Sequence, residues 1–261
     1  MRKGKYMKVV ILAGGFGTRL SEYTDSIPKP MVEIGGKPII WHIMKRYADY
    51  GYTDFVIALG YKAELIKNYF ANYHLGQNDY TVNLSSGKTS MSTNGELNWN
   101  VTLVDTGLNT MTGGRIKRLC EYLKDEKFLL TYGDGVADVD IRKLVEHHSN
   151  SNNLVTLTAV RPTARFGELE LDDSLVVAFQ EKSQLNVGWV NGGFFVCEPQ
   201  ILDFIENDSV MLEREPLERM AKESRLGAYK HHGFWQCMDS KRDRDLLQSL
   251  CDKGNQVWLD T

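Results

Sequence analysis

Lys8-Val9-Val10-Ile11-Leu12-Ala13-Gly14-Gly15-Phe16-Gly17-Thr18-Arg19-Leu20 is the stretch on which the fold turns. Its first half is short, apolar and β-branched, bounded by glycine, and so reads as a buried strand rather than a helix. In the loop that follows, glycines let backbone N–H groups approach phosphate oxygens with no Cβ in the way. The dinucleotide fingerprint is excluded because Leu20 stands where its third glycine belongs. A Walker A loop is excluded because no Gly-Lys-Ser/Thr follows at the required spacing. A tight strand-to-helix turn would use the same glycines, but Thr18 and Arg19 beside them favour a phosphate cradle.

Outward from this stretch, short apolar runs alternate with amphipathic helices. That alternation signals a mostly parallel sheet covered on both faces. Pro38 is expected at a first helical position, with Ile40, Ile43, Met44 and Tyr47 on one face and Gly51 at the end. Asp54–Leu59 reads as a strand, followed by a helix whose Ile66, Tyr69, Phe70 and Tyr73 share a face. Residues 74–100 are polar and turn-rich, with a hairpin or excursion expected there. The pattern resumes with a strand at Val101–Val104, a helix from Arg115 to Leu123 and a strand at Phe128–Tyr132. Further strands are expected at Leu154–Arg161, Asn191–Cys197 and Leu226–His231, with a hairpin turning at Asp173-Ser174 and a last helix near Ser240–Lys253. The fold class is therefore α/β: a doubly wound, mixed but mostly parallel, Rossmann-like sheet.

The 261 residues carry 31 Lys and Arg against 34 Asp and Glu, a net charge of −3, which gives no global pull toward nucleic acid or an anionic membrane. No apolar run approaches bilayer length. Cys120, Cys197, Cys237 and Cys251 show no CxxC spacing and are expected to be reduced thiols in a cytoplasmic protein. Met1–Tyr6 reads as an extension. Residues 7–261 are expected to form one domain in two parts that meet at about residue 135, the second the smaller.

Lys29 lies in Pro28-Lys29-Pro30-Met31, where each proline stiffens the backbone beside it, so its ammonium can be aimed at an anion. Asp134 follows the expected strand Phe128–Tyr132, at the sheet edge where open α/β sheets bind ligands. An Asp-Gly turn would explain it equally well, as a helix N-cap would explain Asp239.

Gly14-Gly15-Phe16-Gly17-Thr18-Arg19-Leu20 followed by Pro28-Lys29-Pro30-Met31 resembles the signature of the sugar-1-phosphate nucleotidylyltransferases. Tyr132-Gly133-Asp134-Gly135, Phe179-Gln180-Glu181-Lys182, Val190-Asn191-Gly192-Gly193-Phe194-Phe195 and Phe234-Trp235-Gln236-Cys237-Met238-Asp239 extend the match from Met7 to the C-terminus. Met111-Thr112-Gly113-Gly114-Arg115 and Gly233-Phe234-Trp235-Gln236 resemble the cytidylyl-transferring branch, which joins CTP and glucose 1-phosphate into CDP-glucose and pyrophosphate. The resemblance implies that Leu12, Ala13, Gly14, Gly15, Phe16, Gly17, Thr18, Arg19, Lys29, Thr110, Arg115 and Gly133 meet the nucleotide. It further implies that Arg19 and Lys29 are catalytic cations, and that Asp134 and Asp239 hold Mg²⁺. Glu181, Lys182, Asn191 and Gly192 would then bind the sugar phosphate, although Ser183 replaces the proline usual after the glutamate–lysine pair. A homo-oligomer, a hexamer in relatives with this signature, and supply of deoxysugars for surface polysaccharide such as lipopolysaccharide O-antigen are implied in the same way.

The chemistry agrees with this set. A sugar phosphate attacking the α-phosphorus is already mostly dianionic at neutral pH, so no general base is required and no histidine–carboxylate pair is expected. Two anions must meet, which calls for positioned cations. Cytosine presents a ring-nitrogen acceptor where uracil presents a donor, so the donor-only Arg115 is a candidate base reader, with a phosphate grip as the competing role. His231-His232 face opposite ways in a strand, Trp189 and Trp235 flank the matched segments, and Lys241–Asp245 reads as a solvated helix face. The alternatives are a uridylyl- or thymidylyltransferase on the same scaffold, or a non-catalytic sugar-nucleotide sensor.

Overall fold

The computed structural model describes residues 7–91, 97–162, 168–180 and 188–260. Seven strands form the central sheet: β1 (Val9–Leu12), β2 (Asp54–Leu59), β3 (Asn100–Asp105), β4 (Phe128–Tyr132), β5 (Val155–Val160), β6 (Val190–Cys197) and β7 (Leu226–Lys230). Their order across the sheet is β7-β5-β6-β4-β1-β2-β3. β1 runs parallel to both its neighbours, with Val9 opposite Phe55 on one side and Leu129 on the other. β6 is reversed, antiparallel to β5 and to β4. The sheet is thus mixed and mostly parallel. From β1 the chain winds outward through β2 and β3, then returns to β4 on the other side of β1. That reversal leaves a crevice at the carboxyl ends of β1 and β4.

Successive strand residues point to opposite faces, and both faces are buried. On one, Val9, Ile11, Phe55, Ile57 and Leu129 pack with Ile40, Ile43 and Tyr47 of α1 (Ile39–Asp49) and Ile66 of α2 (Ala63–Ala71). On the other, Val10, Leu12, Val56, Ala58 and Leu130 pack with Ile116 of α3 (Thr112–Arg118). Three further helices complete the layers: α4 (Ile141–Ser149), α5 (Glu215–Lys222) and α6 (Lys241–Asp252). The residues beyond 135 add β5, β6 and β7 to the same sheet.

Several boundaries differ from the sequence reading. Pro38 is the residue before α1, extended at ψ 145°, rather than its first helical residue. The helix expected from Arg115 begins three residues earlier at Thr112 and breaks at Leu119 before a short turn at Cys120–Leu123. Tyr73 opens a separate turn, Tyr73–Gln77. α4 and α5 escaped the periodicity argument because their buried faces are short. α4 buries Ile141, Leu144 and a histidine, His148. The polar excursion is a hairpin pairing Tyr80–Val82 with Thr89–Met91, whereas Asn94-Gly95 lies outside the described residues. The second hairpin, Glu168–Asp172 with Leu175–Gln180, turns where Asp173 adopts φ 50°. No helix among the described residues is long and apolar enough to cross a membrane.

Candidate active site

The crevice at the ends of β1 and β4 opens into a cleft of about 480 Å³. Every residue that the sequence assigned to nucleotide contact lines it: Leu12 to Arg19, Lys29, Thr110, Arg115 and Gly133. The loop is anchored at its root, where the Ala13 and Gly133 amides donate to Ala58 O and Leu12 O, each at 3.0 Å. Farther along, the Tyr61 amide donates to Gly14 O at 3.1 Å and the rings of Phe16 and Tyr61 pack at 5.3 Å.

Arg115 explains why position 14 is glycine. A Cβ there would fall 2.2 Å from the Arg115 Nη1 atom. Arg115 is buried, 4% exposed, and its guanidinium donates to five oxygens of the protein itself. Nη1 donates to Leu59 O, Thr106 Oγ1 and Gly107 O at 2.9, 2.7 and 2.7 Å; Nη2 donates to Gly14 O and Leu108 O at 2.9 and 3.2 Å. It thereby ties the glycine loop to the end of β2 and to residues 106–108. These bonds commit both Nη groups of Arg115 to oxygens of the protein itself. In this arrangement Arg115 braces the two loops that frame the cleft.

At the floor, four charged side chains meet. Pro28 is extended at φ −68° and ψ 147°, and a single 3₁₀ turn, Lys29–Met31, follows it. That turn buries the Lys29 stem, leaving the residue 8% exposed. Its Nζ donates to Asp134 Oδ2 and to Asp239 Oδ1, both at 2.6 Å. The other oxygen of Asp239 accepts from Arg19 Nη1 at 2.8 Å. Burial alone would raise the Asp239 carboxyl, but Lys29 and Arg19 hold it below the usual carboxylate range. Burial alone would lower Lys29; the Asp134 and Asp239 carboxylates outweigh it and raise the ammonium above its ordinary value.

Asp134 sits in the turn between β4 and the short strand Gly135–Ala137. The N-cap alternative for Asp239 fails, because Ser240 holds that position at the head of α6. Asp243 fixes the junction. Its carboxylate accepts from the Ser240 amide and hydroxyl at 2.9 and 2.7 Å, from the Asp239 amide at 3.2 Å and from Gln236 Nε2 at 3.1 Å. Asp243 is therefore a buried exception within the Lys241–Asp245 run expected to be a solvated face, whereas Lys241 and Asp245 do pair on the surface.

Asp134, Cys237 and Asp239 each offer a ligand atom, all within 4.8 Å of one another. Burial, then the neighbouring Asp134 charge, push the Cys237 thiol well above its ordinary pKa, so it stays protonated at neutral pH. What remains is a pair of hard carboxylate oxygens already facing a cation, the Lys29 ammonium. This donor set fits a hard divalent ion better than a thiophilic one.

A second cleft, of about 320 Å³, shares Arg19, Tyr132 and Asp134 with the first and is lined also by Asn191, Gly192, Glu213, Trp235 and Asp239. The β-bulge weighed as a structural explanation for Asn191-Gly192 is present. Between the pairs Leu157–Phe195 and Ala159–Asn191, β6 uses extra residues, and Gly193 takes φ 80° against the Tyr132 ring. The bulge turns Asn191 into the cleft, where its Nδ2 donates to Tyr132 Oη at 3.2 Å. Tyr132 Oη donates in turn to Glu213 Oε1, and Thr112 Oγ1 donates to Glu213 Oε2, both at 2.6 Å. Trp235 Nε1 donates to Gly192 O at 2.8 Å.

Tyr132 was visible only as part of a motif, and Glu213 carried no signal of its own, since their contacts join residues distant in sequence. Asp243 did carry a local signal, the capping-box spacing of Ser240-Lys241-Arg242-Asp243, which the sequence reading missed. Glu181 and Lys182 lie outside the described residues. Trp189 lies under the Arg161 guanidinium at 4.7 Å and lines neither cleft. Among the described residues, histidine–carboxylate pairs do occur, at His148–Glu198 (3.2 Å) and His231–Asp138 (2.8 Å). Neither lines either cleft.

The sequence pattern of the nucleotidyl transferase family matches residues 8–261. The chain is 51% identical over 253 residues to the glucose-1-phosphate cytidylyltransferase of Salmonella typhi, covering 97% of this chain and 98% of that one. It is 43% identical over 253 residues to a probable glucose-1-phosphate cytidylyltransferase of Bacillus subtilis strain 168, covering 97% and 99%. Among solved structures, HddC from Yersinia pseudotuberculosis superposes with a TM-score of 0.69 at 26% identity, over 95% of this chain and 99% of that one.

Proposed function

Because the chain belongs to the nucleotidyl transferase family, we propose that it transfers the cytidylyl group of CTP to α-D-glucose 1-phosphate, forming CDP-glucose and pyrophosphate. The named activity of the relatives at 51% and 43% identity supports the choice of substrates. The observation that carries the chemistry is the meeting of two clefts at Arg19 and Asp134, beside Lys29. A transferase of this kind must bring two phosphorylated ligands to one point, and a single-ligand sensor needs no second cleft there.

CTP occupies the larger cleft, its phosphates against the glycine loop, with Thr110 toward the base and Arg115 holding the loops that frame it. Glucose 1-phosphate occupies the smaller cleft, where Asn191, the Gly192 backbone and Trp235 face the ring, with Glu181 and Lys182 assigned to the sugar phosphate. A phosphate oxygen of the sugar attacks the α-phosphorus in line. The bond to the β-phosphate breaks, and its electron pair leaves with pyrophosphate. Lys29 and Arg19 offset the charge that gathers on the oxygens, in a site where preorganised cations act with little solvent screening. Asp134 and Asp239 would hold Mg²⁺, which supplies further charge neutralisation and orientation of the phosphates. A homo-oligomer belongs to the same reading and is checked by light scattering.

The test is a matrix of pyrophosphate release with CTP, UTP, dTTP and GTP against glucose 1-phosphate and mannose 1-phosphate. Turnover is expected with CTP and glucose 1-phosphate, and its loss with a chelator. Preference for another nucleotide would overturn the cytidylyl assignment, and silence with every pair would overturn the enzymatic one.

A further inference from the structure

Two carboxylates, Asp134 and Asp239, face each other with two cations already on them. Lys29 Nζ bridges the pair at 2.6 Å from each, and Arg19 closes the far oxygen of Asp239 at 2.8 Å. The formal charge of this quartet is zero. Its two cations differ sharply in exposure: the Arg19 side chain is 75% exposed, whereas the Lys29 side chain is 10% exposed on a proline-flanked turn.

A divalent ion arriving alone therefore finds no uncompensated negative charge. It must either share the carboxylates with an ammonium at contact distance or displace Lys29 from both of its partners. In a half-buried site of reduced dielectric, either event costs far more than it would in water. A nucleotide changes the balance. Lys29 and Arg19 both line the larger cleft, so phosphates seated on the glycine loop offer each cation a new partner without drawing it out of the site. As the ammonium turns to them, the two carboxylates are uncovered together.

We propose that Lys29 is a resident counter-cation that keeps the Asp134–Asp239 seat closed to a divalent ion until nucleotide phosphates take the ammonium over. Ion and nucleotide then bind as a coupled pair, with Lys29 as the coupling element, and by linkage each strengthens the other. The bare protein does not load with metal ahead of its substrate. This inference rests on the transferase reading above.

The probe is Mn²⁺ alone, with free ion read by electron paramagnetic resonance during titration of the nucleotide-free protein. Lys29→Met is expected to bind one Mn²⁺ tighter than the unaltered protein by about tenfold or more, since an ammonium at contact distance has been removed. The double substitution Lys29→Met with Asp134→Asn is expected to lose that site. Lys29→Gln serves in the same titration should Lys29→Met fail to melt cooperatively. Equal Mn²⁺ affinity in the unaltered and substituted proteins, or tighter binding by the unaltered one, overturns the proposal. Pyrophosphate release by the unaltered protein separates the two claims: synthesis without the Mn²⁺ difference removes the coupling and leaves the transferase standing.

Discussion

Replacing Arg115 by methionine keeps most of the buried stem and removes every donor. Five protein oxygens lose a charged partner, yet the consequences differ among them. Leu59 O still accepts from the Thr106 amide at 3.0 Å, and Gly14 O from the Tyr61 amide at 3.1 Å. The bonds to Gly107 O and Leu108 O are only partly buried, so water can replace the guanidinium there. The expected net loss is therefore that of one or two charged hydrogen bonds, about 2–4 kcal/mol, rather than the sum of five. Urea unfolding measures it. The glycine loop and residues 106–108 then lose the brace that holds them to the end of β2. A misplacement of this kind costs up to about a hundredfold in kcat/KM. Since Arg115 acts through loops that carry either nucleotide, the loss should be the same factor for CTP and UTP, leaving their ratio unchanged. A loss confined to CTP, with stability intact, would refute this reasoning and restore Arg115 as the base reader.

Gly14→Ala places a methyl 2.2 Å from the same guanidinium, so the loop or Arg115 must shift. A rise in KM for CTP of about tenfold or more is expected, with a lowered melting temperature; unchanged kinetics would show that the brace is slack. Asp243→Ala removes the reciprocal half of the capping box of α6 and the anchor of the Asp239 amide. It is expected to cost about 2–3 kcal/mol and to lower turnover, whereas Asp243→Asn should retain part of both. Burial holds His42 and His148 below the ordinary imidazole value, the latter against a partial opposing pull from Glu198. A depressed histidine pKa makes the native state bind fewer protons than the unfolded chain. The contribution is therefore complete above about pH 6.5 and is lost as pH falls through that value toward the lower native ones. The melting temperature should fall between pH 7 and 5, and less in His148→Gln; a pH-independent melt would contradict this.

The strand pattern and the glycine loop were legible because local composition determines them. β-branched runs stop at glycine, and the loop lies where the first strand ends. Asp54–Leu59 and Phe128–Tyr132 fell on the observed strands for the same reason. The site's supporting contacts were not legible. Arg115 looks like any first-turn arginine until Leu59, Gly14 and Thr106, from three separate segments, converge on it. Asp243 was hidden in a charge run read as a solvated face, although its spacing from Ser240 is that of a capping box. The Asn191-Gly192 segment was weighed as bulge against binding residue, and the fold uses the one to achieve the other.

The account stands or falls on where the two halves of the product lie. In crystals grown with CDP-glucose, the cytidine should occupy the larger cleft beside Thr110, the glucose the smaller one beside Asn191 and Trp235, and the diphosphate should contact Arg19 at their junction. A nucleotide seated away from the loop Gly14–Thr18, or a sugar outside the cleft of Asn191, would contradict it.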